Sequence, residues 1–304
     1  MYELVIIGAG SAGLAAAVYS ARKKLNVLLV SADIGGQINW TMGIENYLGY
    51  QFIEGPELIS KFESQVHQYP LEQKIGVNVS SISKINGGFE VITKEGEKYQ
   101  SKTLIVATGK RPRRLNVPGE MKYTGKGVTY CSICDGPVFA GRRIAVVGGG
   151  NSALEAALDM VKIAEHVDLV SLTQLTGDPV LVDKLRSADN LDKYLEYETL
   201  SIEGDDFITG MNIKELKGSE EKKLDVTGVF IEIGLEPNSE SVKGLVDLNE
   251  HNEIMVNQTC ETNIPALYAA GDVTNVPEKQ IIIAAGEGAK AALQAHRYLQ
   301  RLAE

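Results

Sequence analysis

Short apolar runs followed by glycine and small residues recur along this chain. Residues 2–7, 103–106, 143–147 and 266–269 are brief and mostly apolar, as is typical of parallel strands buried on both faces. Longer stretches with helical spacing separate them. The alternation predicts βαβ units and an α/β fold.

Helical spacing is clearest in residues 56–68, where Leu58, Ile59, Phe62 and Val66 share one face. The other predicted helices cover residues 14–24, 152–164, 181–185 and 279–302. Glycine pairs and apolar runs predict further strands at residues 26–30, 72–79, 89–93, 98–100, 167–170 and 226–233. Trp40, the only tryptophan, is interpreted as a packing residue rather than a cofactor contact.

Two breaks in this pattern predict crossovers between domains. Residues 110–114 are basic and are followed by Pro118-Gly119, and residues 239–248 form a second break. The basic run is interpreted as a solvated crossover in preference to a dock for an acidic partner. We therefore predict two Rossmann-like (three-layer) nucleotide-binding domains, the second inserted into the first. The first would comprise residues 1–114 and 246–304, and the second residues 115–245.

Charge and composition exclude several classes of protein. The net charge of −10 argues against nucleic acid or an anionic membrane surface as the main partner. The sequence contains no apolar run long enough to span a membrane. Its three cysteines are too few for a secreted disulfide framework, and an odd count fits a reducing cytoplasm. We expect a cytoplasmic protein.

Gly8-Ala9-Gly10-Ser11-Ala12-Gly13 lies between the first strand and an alanine-rich helix. In such a position the first glycine permits a tight turn, the second admits a pyrophosphate, and the third lets the helix approach the strand. Free N–H groups at the start of the helix would then hold the phosphates. An acidic residue for the ribose is expected after the second strand, and whether Asp33 serves is left open.

Two further motifs follow in the second half. Gly148-Gly149-Gly150-Asn151-Ser152-Ala153 repeats the phosphate-binding pattern after a strand, and Cys131-Ser132-Ile133-Cys134 precedes it. Two cysteines at this spacing can close a disulfide, and opening it takes up two electrons, as many as a hydride carries. A dithiol between two dinucleotide sites indicates an electron relay. The remaining Cys260 and four histidines have no zinc-finger spacing, so no metal site is predicted.

In the order of these motifs, with Ala107-Thr108-Gly109 and Gly271-Asp272 among them, the chain resembles the low-molecular-weight thioredoxin reductases over nearly its whole length. Cys134-Asp135-Gly136-Pro137 and residues 279–288 are similar to one branch, the flavoprotein component of alkyl hydroperoxide reductase without its N-terminal domains. No thioredoxin-like domain is appended, so we expect a separate acceptor protein. A homodimer is expected from the resemblance.

The resemblance implies FAD as the first cofactor, with Asp272 holding its ribityl chain. The implied FAD-binding residues come from six segments: Gly8, Gly10, Ser11, Ala12 and Gly13; Gly35, Gly36, Gln37 and Asn46; Val79; Ala107, Thr108 and Gly109; Gly271 and Asp272; Gln280 and Ile281. The nicotinamide nucleotide would bind Gly148, Gly150, Asn151, Ser152 and Ala153.

For the chemistry, the resemblance implies that Cys134 faces the flavin and that Cys131 attacks the disulfide of the partner. Asp135 would then donate and accept the proton that thiolate exchange requires. Burial would raise the pKa of this aspartate toward the range needed. The alternative for Asp135 is a helix N-cap on the turn after Cys134.

The nicotinamide domain departs from the resemblance at one place. Relatives that use NADPH have a basic cluster after the second strand of this domain, whereas residues 171–178 contain no Arg, Lys or His. Without a cation the loop cannot neutralise the 2′-phosphate, which disfavours NADPH. It also lacks the acidic residue at the strand end that marks NAD, so Ser171 and Thr173 offer only neutral hydrogen bonds.

Three hypotheses follow. The first is an FAD-dependent reductase of a thioredoxin- or glutaredoxin-like protein that uses NADH or NADPH. In the second, ferredoxin replaces the nicotinamide as electron donor, which the uncharged loop favours. The third is a redox-inert FAD-binding protein, against which the dithiol and Asp135 weigh.

Overall fold

The computed structural model describes residues 1–41 and 43–303. The first 106 residues form six strands and two helices: β1 (Tyr2–Ala9), α1 (Ser11–Arg22), β2 (Val27–Ile34), α2 (Gly55–Val66), β3 (Glu72–Ile75), β4 (Val79–Ile85), β5 (Gly88–Thr93) and β6 (Lys98–Val106). The next part contains β7 (Lys110–Pro112), α3 (Glu120–Tyr123), β8 (Val128–Thr129), α4 (Ser132–Asp135), β9 (Arg143–Val147), α5 (Asn151–Met160), β10 (His166–Ser171), α6 (Pro179–Lys184), β11 (Leu191–Leu195), β12 (Tyr197–Gly204), β13 (Ile208–Glu215), β14 (Glu221–Leu224), β15 (Gly228–Ile231) and β16 (Leu235–Pro237). The chain ends with β17 (Leu267–Ala269) and α7 (Ile281–Ala303). Short 3-10 helices cover Gly36–Trp40, Gly136–Phe139, Leu185–Ser187 and Glu240–Val242.

The first sheet is built from both ends of the chain. Its order is β3-β2-β1-β6-β5-β4, and β17 pairs in parallel with β6. The strands β1, β2, β3 and β17 run parallel to β6, whereas β4 and β5 form an antiparallel extension. Helices α1 and α7 pack against each other so closely that a side chain on Gly288 would collide with the carbonyl of Ala12. The return of the chain to this sheet at β17 agrees with the predicted insertion.

A second parallel sheet lies in the middle of the sequence. Its order is β11-β10-β9-β15-β8, and the antiparallel strands β12, β13 and β14 form a separate three-stranded sheet. On one face Ile144, Val146 and Leu169 pack with Ala153 and Leu154 of α5. On the other face Ala145 and Val170 pack with residues of the three-stranded sheet.

The predicted strands match the structure best where they are buried on both faces. β6 is one strand over the two segments predicted at residues 98–100 and 103–106, because β1, β5 and β17 pair with successive parts of it. Strands β11 to β14 lie outside the predicted elements. Their buried apolar residues, such as Ile202, Met211 and Ile213, are separated by polar residues or glycine, so the apolar signal is weak.

The basic segment after β6 forms half of a two-stranded ribbon between the sheets. β7 pairs antiparallel with β16, so the chain leaves and re-enters the first unit side by side. Arg111 forms ion pairs with Glu236 at 3.2 Å and Glu240 at 2.7 Å, and Arg113 Nε lies 3.2 Å from Glu236. Arg111 and Arg113 are thus paired within the chain, and both stay exposed, as does Arg114.

The second predicted crossover, residues 239–248, lies beyond this ribbon. Val242 and Val246 are buried in the core of the first sheet, where they pack with Ile254 and Val5. Just before them Asn238 donates from Nδ2 to the Thr108 carbonyl at 2.8 Å and accepts at its own carbonyl from Thr108 Oγ1 at 2.6 Å. This packing favours a boundary near residue 238, and the domain limits remain a proposal.

Candidate active site

The first glycine motif bends the chain between β1 and α1. Gly8 has a φ of +102°, and a side chain there would collide with the carbonyl of Ala107. A side chain on Gly13 would collide with the Gly8 carbonyl, so this glycine lies at the helix–strand contact. A Cβ on Gly10, in contrast, would meet no atom within 4 Å. Gly10 thus opens on free space at the start of α1, as a site for a pyrophosphate requires.

A cavity of about 780 Å³ opens in front of this motif. Sixteen of the seventeen residues predicted to bind FAD line it: Gly8, Gly10, Ser11, Ala12, Gly35, Gly36, Gln37, Asn46, Val79, Ala107, Thr108, Gly109, Gly271, Asp272, Gln280 and Ile281. The seventeenth, Gly13, lies behind them at the helix–strand contact. The side chain of Trp40 lies outside what the structure describes.

Contacts between distant segments hold this cavity together. Asn46 Nδ2 donates to Gln280 Oε1 at 3.1 Å, which joins residues 234 positions apart. The buried carboxylate of Glu287 accepts from the Gly271 N–H at 2.8 Å and fixes a turn whose φ is +78°. Glu287 is absent from the predicted set, because a lone acid within a helix has no signal in the sequence. Burial also raises the pKa of Asp272, against the effect of the Lys279 and Lys110 charges.

An acid does lie near the end of β2, where a ribose contact is expected. Asp33 lies within β2 and lines the cavity, and its carboxylate accepts from the Gly36 N–H at 3.0 Å. Ser31 Oγ accepts from the Ala9 N–H at 3.0 Å, inside the first glycine motif. In this arrangement Asp33 supports the Gly35-Gly36 turn.

The two cysteines form a disulfide and line the same cavity as the first glycine motif. Cys131 is the N-cap of α4, and its Sγ accepts from the Cys134 N–H at 3.2 Å. Asp135, only 2% exposed, accepts a hydrogen bond from Thr129 Oγ1 and makes no side-chain capping bond to the following 3-10 helix. Asp135 nevertheless stands at the N-cap position of that 3-10 helix, so both roles, proton donor and N-cap, stay predictions.

The second glycine motif repeats the geometry of the first. Gly148 has a φ of +145°, and a side chain there would collide with the Glu232 carbonyl and would come within 2.8 Å of the Ala153 Cβ. Gly150 caps α5 and faces open space, as Gly10 does. Asn151 Oδ1 accepts from the Asp178 N–H at 2.7 Å. Of the predicted nicotinamide residues, Ser152 lines a cavity of about 260 Å³.

The loop over this motif, residues 171–178, contacts the ion pair that Glu196 forms with Lys217. Gln174 Nε2 donates to Glu196 Oε2 at 3.2 Å, and Lys217 holds the pKa of Glu196 below its usual value. Ser171 is only 2% exposed and accepts weakly from the Thr173 N–H at 3.4 Å, whereas Thr173 is exposed. Of these two predicted donors Thr173 is the more exposed, whereas Ser171 Oγ lies against Gly149 of the glycine motif.

Glu232 is a site residue that no sequence motif singles out. It follows β15 directly, lines the smaller cavity, and accepts from the Ser132 N–H within the dithiol turn at 3.2 Å. Burial raises the pKa of the Glu232 carboxyl to about 7, despite that hydrogen bond, and the Glu155 charge raises it further.

Outside these cavities, His166, Asp168 and Asp192 bring their polar atoms within 4.8 Å of one another. Arg143 lies 3.8 Å from the Asp168 carboxylate and His166 lies 3.5 Å from it. This guanidinium already faces the buried acid, so the group is described as an ion-pair network. Cys260 is buried, and burial raises the pKa of its thiol to about 11, which suits an inert structural cysteine.

The sequence pattern of the pyridine nucleotide-disulphide oxidoreductase family matches residues 2–289. The chain belongs to this family. It is 42% identical over 301 residues to an alkyl hydroperoxide reductase subunit of Staphylococcus aureus, a match that covers 99% of this chain and 59% of that relative. The Staphylococcus epidermidis protein of the same name is 40% identical over the same length. The chain thus spans about three fifths of the curated relatives it matches.

Solved structures of the family match this chain over nearly its whole length. Thioredoxin reductase from Streptococcus pyogenes superimposes with a TM-score of 0.93 at 36% identity, over 99% of both chains. The Lactococcus lactis enzyme, described as the FR conformation, is 34% identical over 99% of this chain and 100% of that one, but its TM-score is 0.69. The two structures have similar identity and coverage, but the second has the lower TM-score. We attribute this to the same fold with its two units arranged differently in the second structure.

These comparisons confirm the predicted resemblance and the two-unit Rossmann-like fold class. FAD and a nicotinamide nucleotide are the cofactors that this family implies. The residues present fit FAD, since Gly10 leaves space at the start of a twelve-residue helix without an acid in its first turn. Among the described residues, no helix is long and apolar enough to cross a membrane.

Proposed function

We propose that the protein passes two electrons from a nicotinamide nucleotide, through FAD and the Cys131–Cys134 disulfide, to the disulfide of a thioredoxin- or glutaredoxin-like protein. The observation that carries the proposal is the shared cavity: the dithiol and the first glycine motif face the same space. A disulfide placed there lies within reach of a bound flavin, as electron transfer between them requires.

FAD, when bound, supplies the chemistry that links a two-electron hydride donor to a disulfide. The protein holds the cofactor by the predicted residues and places Cys134 toward it. Asp135 is buried beside the turn and close to Thr129. In our proposal it takes up and returns the proton of the dithiol during exchange.

Exchange with the acceptor then proceeds in two balanced displacements. The Cys131 thiolate attacks one sulfur of the acceptor disulfide, a mixed disulfide forms, and the other acceptor sulfur leaves as a thiolate. Cys134 next attacks Cys131 in the mixed disulfide, which re-forms the Cys131–Cys134 bond and releases the second acceptor thiolate. The acceptor gains two electrons and, with two protons, becomes a dithiol.

For the donor, we propose NADH, or NADH and NADPH without strong preference. The loop at residues 171–178 contains no cation for a 2′-phosphate, and the nearby Lys217 is paired with Glu196. A ferredoxin-type donor is the second candidate and rests on the same uncharged loop. We further propose a cytoplasmic homodimer, on the grounds of the odd cysteine count and the family resemblance.

The direct test is the division of labour between the cysteines. Cys131→Ser should abolish reduction of a thioredoxin-like acceptor and leave reduction of the flavin by NADH, followed as loss of its absorbance, unchanged. Cys134→Ser should trap a mixed disulfide through Cys131, identified by mass spectrometry. Trapping through Cys134 in the Cys131→Ser protein would reverse the assigned roles.

Reduction of the flavin by each donor tests the source of electrons in the same preparation. Bleaching by NADH at a rate at least equal to that with NADPH supports the proposal. Bleaching only by reduced ferredoxin would replace the nicotinamide with the second candidate. A protein that stays oxidised with all three donors would contradict a reductase function.

A further inference from the structure

Glu232 joins the dithiol turn to the second glycine motif. Its backbone N–H donates to the Val147 carbonyl at 2.8 Å, directly before Gly148, and its own carbonyl packs against Gly148. Its side chain accepts from the Ser132 N–H at 3.2 Å. That N–H belongs to the peptide bond that follows Cys131. One residue thus contacts both the nucleotide motif and the attacking cysteine's own turn.

The charges around Glu232 leave its carboxylate in unfavourable surroundings. The titratable groups that line the smaller cavity with Glu232 are Lys110, Tyr130, His251 and Glu253. Glu155 acts on it from α5, and the dithiol turn contacts it through the Ser132 N–H. Lys110 is already paired with Glu253 at 2.6 Å, and the Glu155 charge acts against ionisation of Glu232. The Ser132 N–H is therefore the identified contact that favours the ionised form.

We propose that Glu232 is a positioning residue that holds the dithiol turn and whose ionisation opposes formation of the Cys131 thiolate. This inference rests on the proposed function, because it concerns the thiol that attacks the acceptor. It makes the reductase sensitive to pH through a group that touches neither flavin nor acceptor.

The physical reason is like-charge repulsion combined with competition for one donor. A thiolate on Cys131 is stabilised by nearby N–H groups, and Cys131 Sγ already accepts from Cys134 N–H. Glu232 occupies the Ser132 N–H and, once ionised, places a negative charge beside the same turn. Both effects raise the pKa of the Cys131 thiol when Glu232 is charged, and both weaken when it is protonated.

The experiment measures the ionisation of Cys131 without using donor or acceptor. In FAD-loaded Cys134→Ser protein, alkylation of Cys131 by iodoacetamide is followed by peptide mass spectrometry between pH 5.5 and 9. Addition of Glu232→Gln, which keeps an acceptor for Ser132 but removes the charge, should accelerate alkylation by roughly tenfold at pH 8, as one nearby charge would. At pH 5.5, where Glu232 is protonated, the two rates should coincide.

Glu155→Gln in the same background provides a matched control, because it removes a neighbouring acid and leaves the contact to Ser132 intact. It should lower the pH at which Glu232 slows alkylation. Identical profiles with and without the Glu232→Gln change would overturn the proposal, and so would acceleration by the same factor at every pH, since that would show loosening of the turn. A Glu232-dependent profile in a protein that reduces no acceptor would instead contradict the proposed function alone.

Discussion

The two glycine motifs are nearly the same in backbone and different in surroundings. Gly8 and Gly148 both have positive φ values, +102° and +145°, and Gly10 and Gly150 both face open space at the start of a helix. Yet the first motif opens on a cavity of about 780 Å³ and the second borders one of about 260 Å³. The second motif is also tied to its covering loop by the Asn151–Asp178 contact.

We infer from this difference that the motif would set the place of a phosphate, while the surroundings would determine how long the ligand stays. Segments from both ends of the chain enclose the first cavity, as suits a cofactor that remains bound. The second site is smaller and is covered by an exposed loop, as suits a substrate that must enter and leave. The predictions below test that contrast.

The largest expected effect comes from a matched pair of substitutions, Gly10→Val and Gly150→Val. Each added side chain enters free space, so the protein should fold, but it should occupy the place of the ligand. Gly10→Val should purify colourless and bind no FAD. The Gly150→Val protein should stay yellow. Its flavin should still be reduced by dithionite but no longer by NADH.

Circular dichroism of both variants serves as the control for folding. Retention of FAD by folded Gly10→Val would show that the first motif does not hold the cofactor. Normal reduction of Gly150→Val by NADH would remove the second motif from the nicotinamide site.

A disulfide that links the two units should allow reduction of the flavin by the donor and block reduction of the acceptor. A Cβ on Gly43 would lie 3.2 Å from a Cγ of Val138, close to the separation within a disulfide. It would also lie 2.7 Å from the exposed Phe52 ring, so Gly43→Cys with Val138→Cys should cross-link the present arrangement once that ring turns aside. Both redox cysteines are half-buried and line the cavity of the first glycine motif, and under the proposed function Cys131 must leave this position to meet a protein acceptor. Turnover with the acceptor should fall to background and return after selective reduction of the cross-link.

Each single cysteine variant controls for the substitutions themselves. Full turnover in the verified cross-linked protein would contradict a rearrangement of the units. The lower TM-score of the relative in the FR conformation is the present support for such a rearrangement.

Glu232, the buried acid next to the second glycine motif, should make the free energy of unfolding decrease as the pH rises. The pKa of Glu232 is raised from 4.5 to about 7 in the folded protein, so its stabilising protonated form is fully present below pH 4.5 and is lost as the pH rises through 7. Glu232→Gln does not ionise. It should therefore gain up to about 3 kcal/mol in free energy of unfolding, relative to the original protein, between pH 4.5 and 8.

Urea unfolding of both holoproteins at the two pH values measures this gain as a double difference. Glu155→Gln is the comparison, since it should reduce the pH dependence without abolishing it. Equal pH dependence in the original and Glu232→Gln proteins would show that Glu232 titrates as an exposed acid.

A smaller effect is expected for the choice of nucleotide. Thr173→Arg places a cation on the exposed loop, and a charged hydrogen bond to a 2′-phosphate contributes about 1.5–3 kcal/mol, so the preference should shift toward NADPH by roughly tenfold or more. Thr227→Arg, at the opposite end of the parallel sheet, is the matched control. A strong preference for NADPH in the unaltered protein would show that another part of the fold holds the phosphate.

The fold and the site could be predicted from the sequence where a motif determines both the backbone conformation and the chemistry. The strands before Gly8 and Gly148, the helices after them and the dithiol turn can be predicted because glycines and short apolar runs leave few alternatives. Their placement around one cavity agrees with the residues implied by the resemblance. The loop without cations is likewise visible in the sequence.

The site residues and contacts that the sequence does not predict depend on contacts between segments far apart in the chain. Glu232 and Glu287 are ordinary acids in the sequence, and only the fold places one at Ser132 and the other at Gly271. The same applies to the ribbon, since the charge run that includes Arg111 looks unpaired until Glu236 and Glu240 are placed opposite it. Ser171 looks available to a nucleotide in the sequence, but burial turns it inward.

The ribbon of β7 and β16 has an evolutionary consequence. Because the two strands pair register to register, with Arg111 opposite Glu236, the ends of the intervening segment lie beside each other. A segment whose ends are neighbours can be exchanged as a cassette without stretching the host fold. The dithiol and the second glycine motif, which both lie within this segment, could then be inherited together by recombination at this one ribbon, while the sheet that carries the first glycine motif stays unchanged.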